Sequence, residues 1–270
     1  MLVFLPLLLS LTVSAIGSPT EKRAKAKLIT KCTVSNTVAL TFDDGPYIYL
    51  NDVVDTVKKA NAKGTFFFNG NNYGCIYDDA MVQRVKYAYD NGFQVASHTW
   101  AHKDLTKLTS DQIDSEMSRT EEAIRKITGA TPAYTRPPYG NVNDLVYSVA
   151  GSRGQTLVTW DFDSGDSTGS TVNQQKQAYD ELVSKHPNTI LSLEHEVYGS
   201  PLFYALKCDR SLTRTRSSVL QETTAHEVLP YVISKLQGAG YKLVTLSECL
   251  NTSPYLKTGA PSTRDATWKC

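Results

Sequence analysis

The sequence has no marked excess of charge of either sign. Its 28 Lys and Arg residues nearly balance its 27 Asp and Glu residues, which leaves a formal net charge of +1. Because no basic stripe is present to neutralise phosphates, nucleic acid and an anionic membrane are excluded as obligate partners. A neutral partner such as a polysaccharide fits this balance better.

No apolar run in the sequence is long enough to cross a bilayer. The N-terminal run from Leu2 to Val13 has about a dozen residues, whereas a membrane-spanning helix needs about 20. Its position and length predict a secretory signal peptide over residues 1–17, with an N-terminal strand of a cytosolic protein as the alternative. Residues 18–30 are expected to form a processed or linking segment. We therefore expect a secreted protein without a membrane anchor.

Cysteine is scarce, and its spacing does not suit a metal site. The five cysteines form no CxxC pair and no Cys/His pattern, which argues against a zinc site built on thiolates. They suit an oxidising compartment, although an odd number leaves one over. Cys32 precedes the first core strand and Cys249 follows the last, so a disulfide between them would join the two ends of a barrel. Cys75 with Cys270 is the second expected pair, which leaves Cys208.

Length and apolar content fit one domain. The chain has 270 residues, 41% of them hydrophobic, which suffices for one barrel-sized domain and not for a second. We place the domain at residues 31–252 and a C-terminal tail at 253–270. Strand-like and helix-like segments alternate, which predicts an α/β fold with a parallel sheet. The predicted helices are 49–62, 80–91 and 109–128, and the predicted strands are 38–42, 64–68, 94–97, 189–193 and 241–246.

Two polar motifs follow predicted strands. A Gly-Pro pair stops the first strand and leaves Asp43 and Asp44 side by side at its carboxyl end. Two adjacent carboxylates are costly to ionise together unless a cation lies beside them. His98 and His102, spaced i and i+4, can aim two imidazole nitrogens at one point. Two histidines and one aspartate make a hydrolytic zinc set with open positions for water and substrate.

Three further motifs follow these two in the chain. The five are Thr41-Phe42-Asp43-Asp44-Gly45-Pro46, His98-Thr99-Trp100-Ala101-His102, Arg136-Pro137-Pro138-Tyr139-Gly140, Trp160-Asp161-Phe162-Asp163-Ser164-Gly165-Asp166 and Leu191-Ser192-Leu193-Glu194-His195. In this order they resemble the signatures of the NodB-type polysaccharide deacetylases, carbohydrate esterase family 4, and within it the secreted chitin deacetylases of fungi. One such motif alone would be a weak signal, whereas five in order are specific.

The resemblance implies a fold and a metal centre. The family fold is a distorted, incomplete (β/α) barrel, which agrees with the alternation of strands and helices. By resemblance, Asp44, His98 and His102 hold a divalent metal. Zinc is favoured by the nitrogen and oxygen ligands, with cobalt or nickel as possible substitutes.

The resemblance also assigns roles around the attacked carbonyl. Asp43 would be the general base that takes a proton from water, and Arg136 would keep its carboxylate charged and oriented. The backbone N–H of Tyr139, in a loop stiffened by Pro138, would donate to the oxyanion of the tetrahedral intermediate. Pro138 and Tyr139 would also line the substrate site.

A second group of residues would serve the leaving amine. His195, at the end of a predicted strand, would be the general acid, because expulsion of an amine requires a proton. Asp166 is assigned to orient His195 and keep it cationic, with Asp163 as the alternative. Leu193 and Trp160 would line the pocket for the acetyl methyl group, although both residue types are more often plain core.

One segment departs from the family pattern. Residues 197–221 resemble an insertion, since the family's acid histidine is soon followed by a Thr-rich helix start, here beginning near Thr223. The second half of the segment has no apolar period and is typical of disorder. It is either a genuine substrate-side loop or a translated retained intron. A loop insertion of this kind leaves the fold intact.

The function implied by the resemblance is metal-dependent hydrolysis of N-acetyl groups from chitin or chitooligosaccharides, with acetylxylan esterase as the nearest alternative. Peptidoglycan deacetylation is a third possibility. A different class remains open: a catalytically impaired carbohydrate-binding homologue, if the segment 197–221 blocks the site.

Overall fold

A computed structural model describes residues 24–196 and 224–270. The expected signal peptide at residues 1–17, the expected insertion at 197–221 and Cys208 lie outside the described residues. The expected linking segment at 18–30 is described only from Ala24 onward.

Strands in the described residues form one large sheet and one small one. They are β1 (Leu28–Ile29), β2 (Thr37–Ala39), β3 (Thr41–Asp43), β4 (Thr65–Phe68), β5 (Gln94–Ser97), β6 (Ala130–Pro132), β7 (Tyr134–Thr135), β8 (Thr156–Val158), β9 (Phe162–Asp163), β10 (Thr189–His195), β11 (Lys242–Val244) and β12 (Tyr255–Thr258). The large sheet has the order β1-β8-β7-β5-β4-β3-β10-β2-β11, with β9 also paired to β10. All of these pairings are parallel.

The predicted α/β fold with a parallel sheet is therefore confirmed. In the described part of the chain the sheet path ends at β1 and β11 without closing. This open path agrees with the expected incomplete barrel. The small sheet pairs β12 with β6 in antiparallel fashion.

Helices connect the strands, as a parallel sheet requires. They are α1 (Leu50–Lys59), α2 (Asp79–Asp90), α3 (Ser110–Thr128), α4 (Asp144–Ser152), α5 (Val172–Lys185), α6 (Leu229–Gly238) and α7 (Leu246–Leu250). Short 3₁₀ turns occur at Leu105–Lys107, Pro138–Gly140 and Asp166–Thr168, and a π-helical turn at Thr224–Val228 precedes α6. Among the helices of the described residues, none combines the length and apolarity that crossing a bilayer requires.

Helix α3 begins and ends where the sequence predicts. The Thr109 hydroxyl accepts a hydrogen bond from the Gln112 N–H, and the Gln112 side chain accepts one from the Thr109 N–H. Such reciprocal capping satisfies two backbone donors that the helix itself leaves unpaired. Gly129 ends the helix with φ +80°, a conformation that costs glycine little.

Two of the differences between predicted and observed strand bounds have a clear physical cause. The predicted strand at 38–42 is divided at Leu40, because β2 pairs with β11 whereas β3 pairs with β4. The chain thus changes neighbours in the middle of one apolar run, which apolarity alone does not reveal. The predicted strand at 241–246 ends at Val244, since Thr245 already caps α7 by accepting the Glu248 N–H.

The core lies on both faces of the sheet. Phe66 and Phe68 of β4 pack into a large apolar cluster with the helices, which includes Val53 of α1 and Leu236 of α6. Phe67 points to the opposite face and belongs to a smaller cluster. Strands buried on both faces have continuous apolar sequences, as β4 does.

Both expected disulfides are present. Cys32 is bonded to Cys249 and lies in the smaller cluster, and Cys75 is bonded to Cys270. The structure also places segments outside the predicted domain bounds against the domain. β1 pairs with β8, and residues 253–270 contribute β12 and the second disulfide.

Candidate active site

The motif residues gather at the carboxyl edge of the sheet. Asp43 ends β3 and His195 ends β10, and the two are register partners on adjacent parallel strands. His98 directly follows β5, and Arg136 directly follows β7. Because parallel strands end at the same edge, four segments distant in sequence deliver polar side chains to one place.

Asp44, His98 and His102 form a compact cluster of possible metal ligands. One ligand atom from each lies within 4.8 Å of the others. Asp44 Oδ1 is 3.3 Å from His102 Nε2 and 3.6 Å from His98 Nε2. In the described residues this is the only group of three or more His, Cys, Asp or Glu side chains with such an arrangement. The predicted ligand set is thus brought together.

The backbone around this cluster has an uncommon conformation. Asp44, Thr99 and His102 have φ values of +72°, +69° and +53°, which non-glycine residues seldom adopt. Backbone strain of this kind persists only where the surroundings enforce it, and it occurs most often at functional sites. The turn at Asp44 allows both neighbouring carboxylates to face one cavity, because an Asp43 oxygen also lies 3.6 Å from His98 Nε2.

The two clustered histidines suit metal binding in their neutral form. His98 Nδ1 is 2.7 Å from the Arg136 carbonyl oxygen. A carbonyl only accepts, so Nδ1 carries the hydrogen and Nε2 keeps its lone pair toward Asp44. Burial lowers the pKa of His98, despite the opposing charge of Asp43. Burial, followed by the neighbouring His98, also lowers the pKa of His102.

The charge balance of the cluster fits a divalent cation. Burial raises the pKa of Asp44, and the opposing effect of His102 does not cancel it. Asp44 therefore sits buried between two rings that favour neutrality, and Arg136 pairs with Asp43 instead. A dication bound by Asp44, His98 and His102 would supply the positive charge. The donor set of two imidazoles and one carboxylate is one that zinc accepts.

Asp43 is held by a buried ion pair. Arg136 is fully buried, and its Nη1 lies 2.8 Å from Asp43 Oδ1. The same nitrogen donates to the Thr41 hydroxyl at 2.7 Å, and Nη2 donates to the Thr159 carbonyl at 3.0 Å. Hydrogen bonds from both terminal nitrogens offset part of the cost of burying the guanidinium, although its Nε has no partner among the described residues. These contacts orient the Asp43 carboxylate beside the ligand cluster.

His195 is paired with Asp166 and not with Asp163. Asp166 Oδ1 is 2.9 Å from His195 Nδ1, and Asp166 Oδ2 accepts the His195 backbone N–H at 2.6 Å. Burial alone would lower the pKa of His195, but the charge and hydrogen bond of Asp166, together with the charges of Asp43 and Asp44, outweigh burial and raise it to about 9. Asp163 is exposed and accepts the Gly165 N–H at 2.7 Å instead.

The residues predicted to surround the substrate also lie at this edge. The Tyr139 ring is 4.8 Å from the His102 ring, edge to face, and the residue is 64% exposed. Trp160 is half-buried, with Arg136 over its ring at 5.6 Å. Leu193 is buried and, two residues before His195 in β10, faces the same side of the sheet. Pro138 is buried in the turn before Tyr139.

Several polar residues near the site were not predicted. Asn69 and Asn72 follow β4, and Asn72 Nδ2 lies 3.5 Å from Asp44 Oδ1. Glu194 accepts a hydrogen bond from the Tyr179 hydroxyl on the helical side of β10, where burial and then Asp166 raise the pKa of Glu194 to about 8. Glu196 accepts the Tyr47 N–H, and burial raises its pKa well above the ordinary value. The sequence offers one signal for these residues, which is that each is polar and lies at or soon after the carboxyl end of a strand.

Comparison with known proteins places this arrangement in a family. A family model described as polysaccharide deacetylase matches residues 30–158. A chitin deacetylase from Colletotrichum lindemuthianum is 30% identical over 226 residues, which cover 84% of this chain and 84% of that protein. A chitin deacetylase from Pestalotiopsis sp is 40% identical over 158 residues, 57% of this chain and 52% of that protein. The chain thus spans only about half the length of some relatives.

Solved structures give the same result. The chitin deacetylase of Colletotrichum lindemuthianum superposes with a TM-score of 0.72 at 28% identity, covering 85% of this chain and 94% of that one. A family 4 carbohydrate esterase from Streptomyces lividans, solved with acetate, has a TM-score of 0.61 at 29% identity, covering 78% and 92%. The sheet order, the clustered motif residues and these similarities together lead to one conclusion: the chain belongs to the polysaccharide deacetylase family, carbohydrate esterase family 4.

Proposed function

We propose that the protein removes N-acetyl groups from chitin or chitooligosaccharides, the β-1,4-linked polymers and oligomers of N-acetylglucosamine, by metal-dependent hydrolysis outside the cell. The observation that carries the proposal is that two unlike histidine sites lie at the same edge of the sheet. On one side lies the Asp44, His98 and His102 cluster beside Asp43, and on the other lies His195 with Asp166. Similarity to fungal chitin deacetylases supports the substrate class.

Asp44, His98 and His102 would hold the metal, with zinc as the expected ion and cobalt or nickel as substitutes. When bound, a divalent metal polarises the acetyl carbonyl and lowers the pKa of water. The two disulfides support a secreted protein, since such bonds persist in oxidising compartments.

Asp43 acts as the general base. Its carboxylate lies within 3.6 Å of His98 Nε2 and therefore borders the position of the attacking water. The ion pair with Arg136 favours the ionised form and fixes the orientation of the carboxylate. Asp43 takes a proton from the water molecule while the water oxygen forms a bond to the acetyl carbon. A positioned base of this kind contributes typically about 10²- to 10⁴-fold to the rate.

The loop after β7 stabilises the negative charge on the former carbonyl oxygen. The backbone N–H of Tyr139 donates to this oxygen, in a turn that Pro138 stiffens. Tyr139 has a φ of +61°, which sets the direction of its peptide group beside His102. Leu193 and Trp160 form the pocket for the acetyl methyl group, and the exposed Tyr139 ring contacts the sugar.

His195 completes the reaction as the general acid. The Asp166 carboxylate holds the imidazole by Nδ1, and Nε2 is the ring nitrogen that donates a proton to the amide nitrogen. The C–N bond then breaks, and the products are acetate and a free glucosamine amine. With a pKa raised to about 9, His195 carries the required proton at neutral pH.

The first test is acetate release from chitopentaose by the purified protein, after chelation and again after zinc is restored. The proposal expects release that chelation abolishes and zinc restores. Release from acetylated xylan but not from chitopentaose would instead identify an esterase, and peptidoglycan serves as a third substrate. No turnover on any of the three, either by the full chain or by a variant without residues 197–221, would overturn the proposal.

A deletion of residues 197–221 belongs to the same experiment. Zinc-dependent release by the full chain would make this segment a tolerated loop. Release only after deletion would identify it as an inhibitory insert. Oligosaccharide binding without turnover by either protein would indicate a carbohydrate-binding homologue.

A further inference from the structure

The segment that follows β4 lies between the two loops that carry the ligand cluster. The Asn69 N–H donates to the Gly45 carbonyl at 2.8 Å, next to Asp44. The Gly70 N–H donates to the Thr99 carbonyl at 3.2 Å, next to His98. The backbone of residues 69–70 thus bridges loops that are more than 50 residues apart in the sequence.

The side chain of Asn69 strengthens this bridge. It is 2% exposed, and its Nδ2 donates to the His98 carbonyl at 2.6 Å and the Thr99 carbonyl at 3.1 Å. Thr99 is β-branched and has a φ of +69°, an unfavourable combination that surrounding contacts must maintain. Both Nδ2 hydrogens of the buried Asn69 amide therefore donate to the strained turn that begins at His98.

A second amide connects Asn69 to the carboxylate of the cluster. Asn72 Nδ2 lies 3.1 Å from Asn69 Oδ1 and 3.5 Å from Asp44 Oδ1. The same Asp44 oxygen is 3.3 Å from His102 Nε2. Asn69 thus contacts the backbone carbonyl of His98 directly and reaches Asp44 through Asn72, although it does not belong to the candidate ligand set.

Gly70 explains why this segment can lie so close to the histidine loop. A Cβ at this position would stand 1.9 Å from Cε3 of Trp100, the residue midway between His98 and His102. Backbone atoms alone fit against the indole. The close approach brings the Asn69 amide within hydrogen-bond distance of the loop.

We propose that Asn69 is a positioning residue of the metal centre, which holds His98 directly and Asp44 through Asn72 in the arrangement that binds the ion. The inference rests on the metal dependence of the proposed function and adds residues outside the ligand set. Groups that orient metal ligands typically contribute about 10- to 100-fold to metal affinity.

The chain offers a matched control in Gln155. This amide is also 2% exposed, and its Nε2 donates to the Pro132 carbonyl at 2.7 Å. Its Oε1 accepts the Thr135 hydroxyl at 3.0 Å, and neither contact involves the ligand cluster. A purely structural role for Asn69 predicts that both amides behave alike when replaced.

The test is titration of the chelated protein with Co²⁺, followed by visible absorption and by calorimetry. Asn69→Leu and Gln155→Met remove the buried amides with uncharged side chains of similar size. We expect Asn69→Leu to raise the Kd for Co²⁺ about 10- to 100-fold and to change the cobalt absorption bands. Gln155→Met is expected to lower the melting temperature while the Kd and the bands stay those of the wild type.

Wild-type affinity and absorption bands in folded Asn69→Leu would overturn the inference. If that variant does not fold, Asn72→Ala decides, because Asn72 is exposed and its removal leaves the core intact. For Asn72→Ala we expect the Kd for Co²⁺ to rise about 2- to 10-fold, which corresponds to the loss of one hydrogen bond. An unchanged Kd for Co²⁺ in this variant would overturn the inference. Absence of Co²⁺ binding by the wild type would instead overturn the metal centre of the proposed function.

Discussion

His98 and His195 occupy matching positions with opposite electrostatics. Each stands at the carboxyl end of a parallel strand, and each is almost fully buried. Burial lowers the pKa of His98, whereas the pKa of His195 is raised to about 9. The partner of Nδ1 accounts for the difference, since it is the Arg136 carbonyl in the first case and the Asp166 carboxylate in the second.

One edge of the sheet can therefore hold two histidines with different chemical properties. A carbonyl partner fixes the ring without adding a full charge, so the neutral ring is retained as a ligand. A carboxylate partner stabilises the cation, so the ring retains a proton to give away. The carboxylates follow the same division, since Asp44 faces the histidines and Asp43 faces Arg136.

The largest effect is expected from removing His98, one of the two proposed ligand histidines. His98→Ala should abolish metal binding and lower kcat/KM by about 10³-fold or more, because metal activation is worth several kcal/mol and each 1.4 kcal/mol is tenfold. Metal content and acetate release measure both effects. His186→Ala is the matched control, since this exposed histidine caps α5 far from the sheet edge. Full activity of His98→Ala would exclude a ligand role.

Removal of the other histidine should separate turnover from metal binding. His195→Gln is expected to lower kcat about 10²- to 10⁴-fold, the usual contribution of a general acid, and to leave the Kd for zinc unchanged. Single-turnover acetate release and calorimetry provide the two readouts. A variant with weakened zinc binding and unchanged kcat would reverse the assignment of the two histidines.

Asp166→Asn would make the surroundings of His195 resemble those of His98. In the wild type the acid form persists up to about pH 9, so kcat should fall as the pH rises through that value. Without the carboxylate, burial dominates and the pKa of His195 drops, so the alkaline fall in kcat should begin at least about two pH units lower. The loss of kcat in Asp166→Asn relative to the wild type is then greatest at high pH and becomes smaller as the pH decreases.

The control for this profile is Asp163→Asn. Asp163 is only three residues from Asp166, but it contacts the Gly165 N–H and not His195. The alkaline fall in kcat of Asp163→Asn should coincide with that of the wild type. Equal shifts in the two variants would mean that Asp166 does not set the charge of His195.

The smallest effect is expected from replacing Tyr139, whose ring contacts the ring of His102. Tyr139→Ala removes the edge-to-face contact with His102 but keeps the backbone N–H proposed for the oxyanion. Such a ring contact is worth about 0.5–1.5 kcal/mol, so activity should fall only about 2- to 10-fold, mostly through KM. A loss of kcat as large as that of His195→Gln would assign the phenol itself a catalytic role.

Features with local causes were predictable from the sequence. The bounds of helix α3 were predictable to within one residue, because helix ends depend on side chains a few residues apart. The ligand set was predicted because Asp44 and the two histidines follow strands whose apolar runs are easily read. Resemblance to a family supplied Arg136 and His195, which local patterns alone would not have selected.

Other features depended on which segments meet in space. Asp163 and Asp166 lie in one short motif, and only the turn at Asp166–Thr168 directs the second of them to His195. The division of the first strand at Leu40 follows from a change of neighbouring strands. Asn69 gains its contacts from a loop about 30 residues away.

Short-range propensity and apolar pattern thus set the alternation of elements, the helix ends and the residue types available at the strand ends, and these can be read from the amino-acid sequence. Long-range packing sets which partner each of those residues has. Partners set the pKa of His98 and His195, and they hold the backbone of Thr99 and Asp44 in conformations that neither residue prefers. Such effects are long-range because charge, burial and strain depend on everything packed around a group.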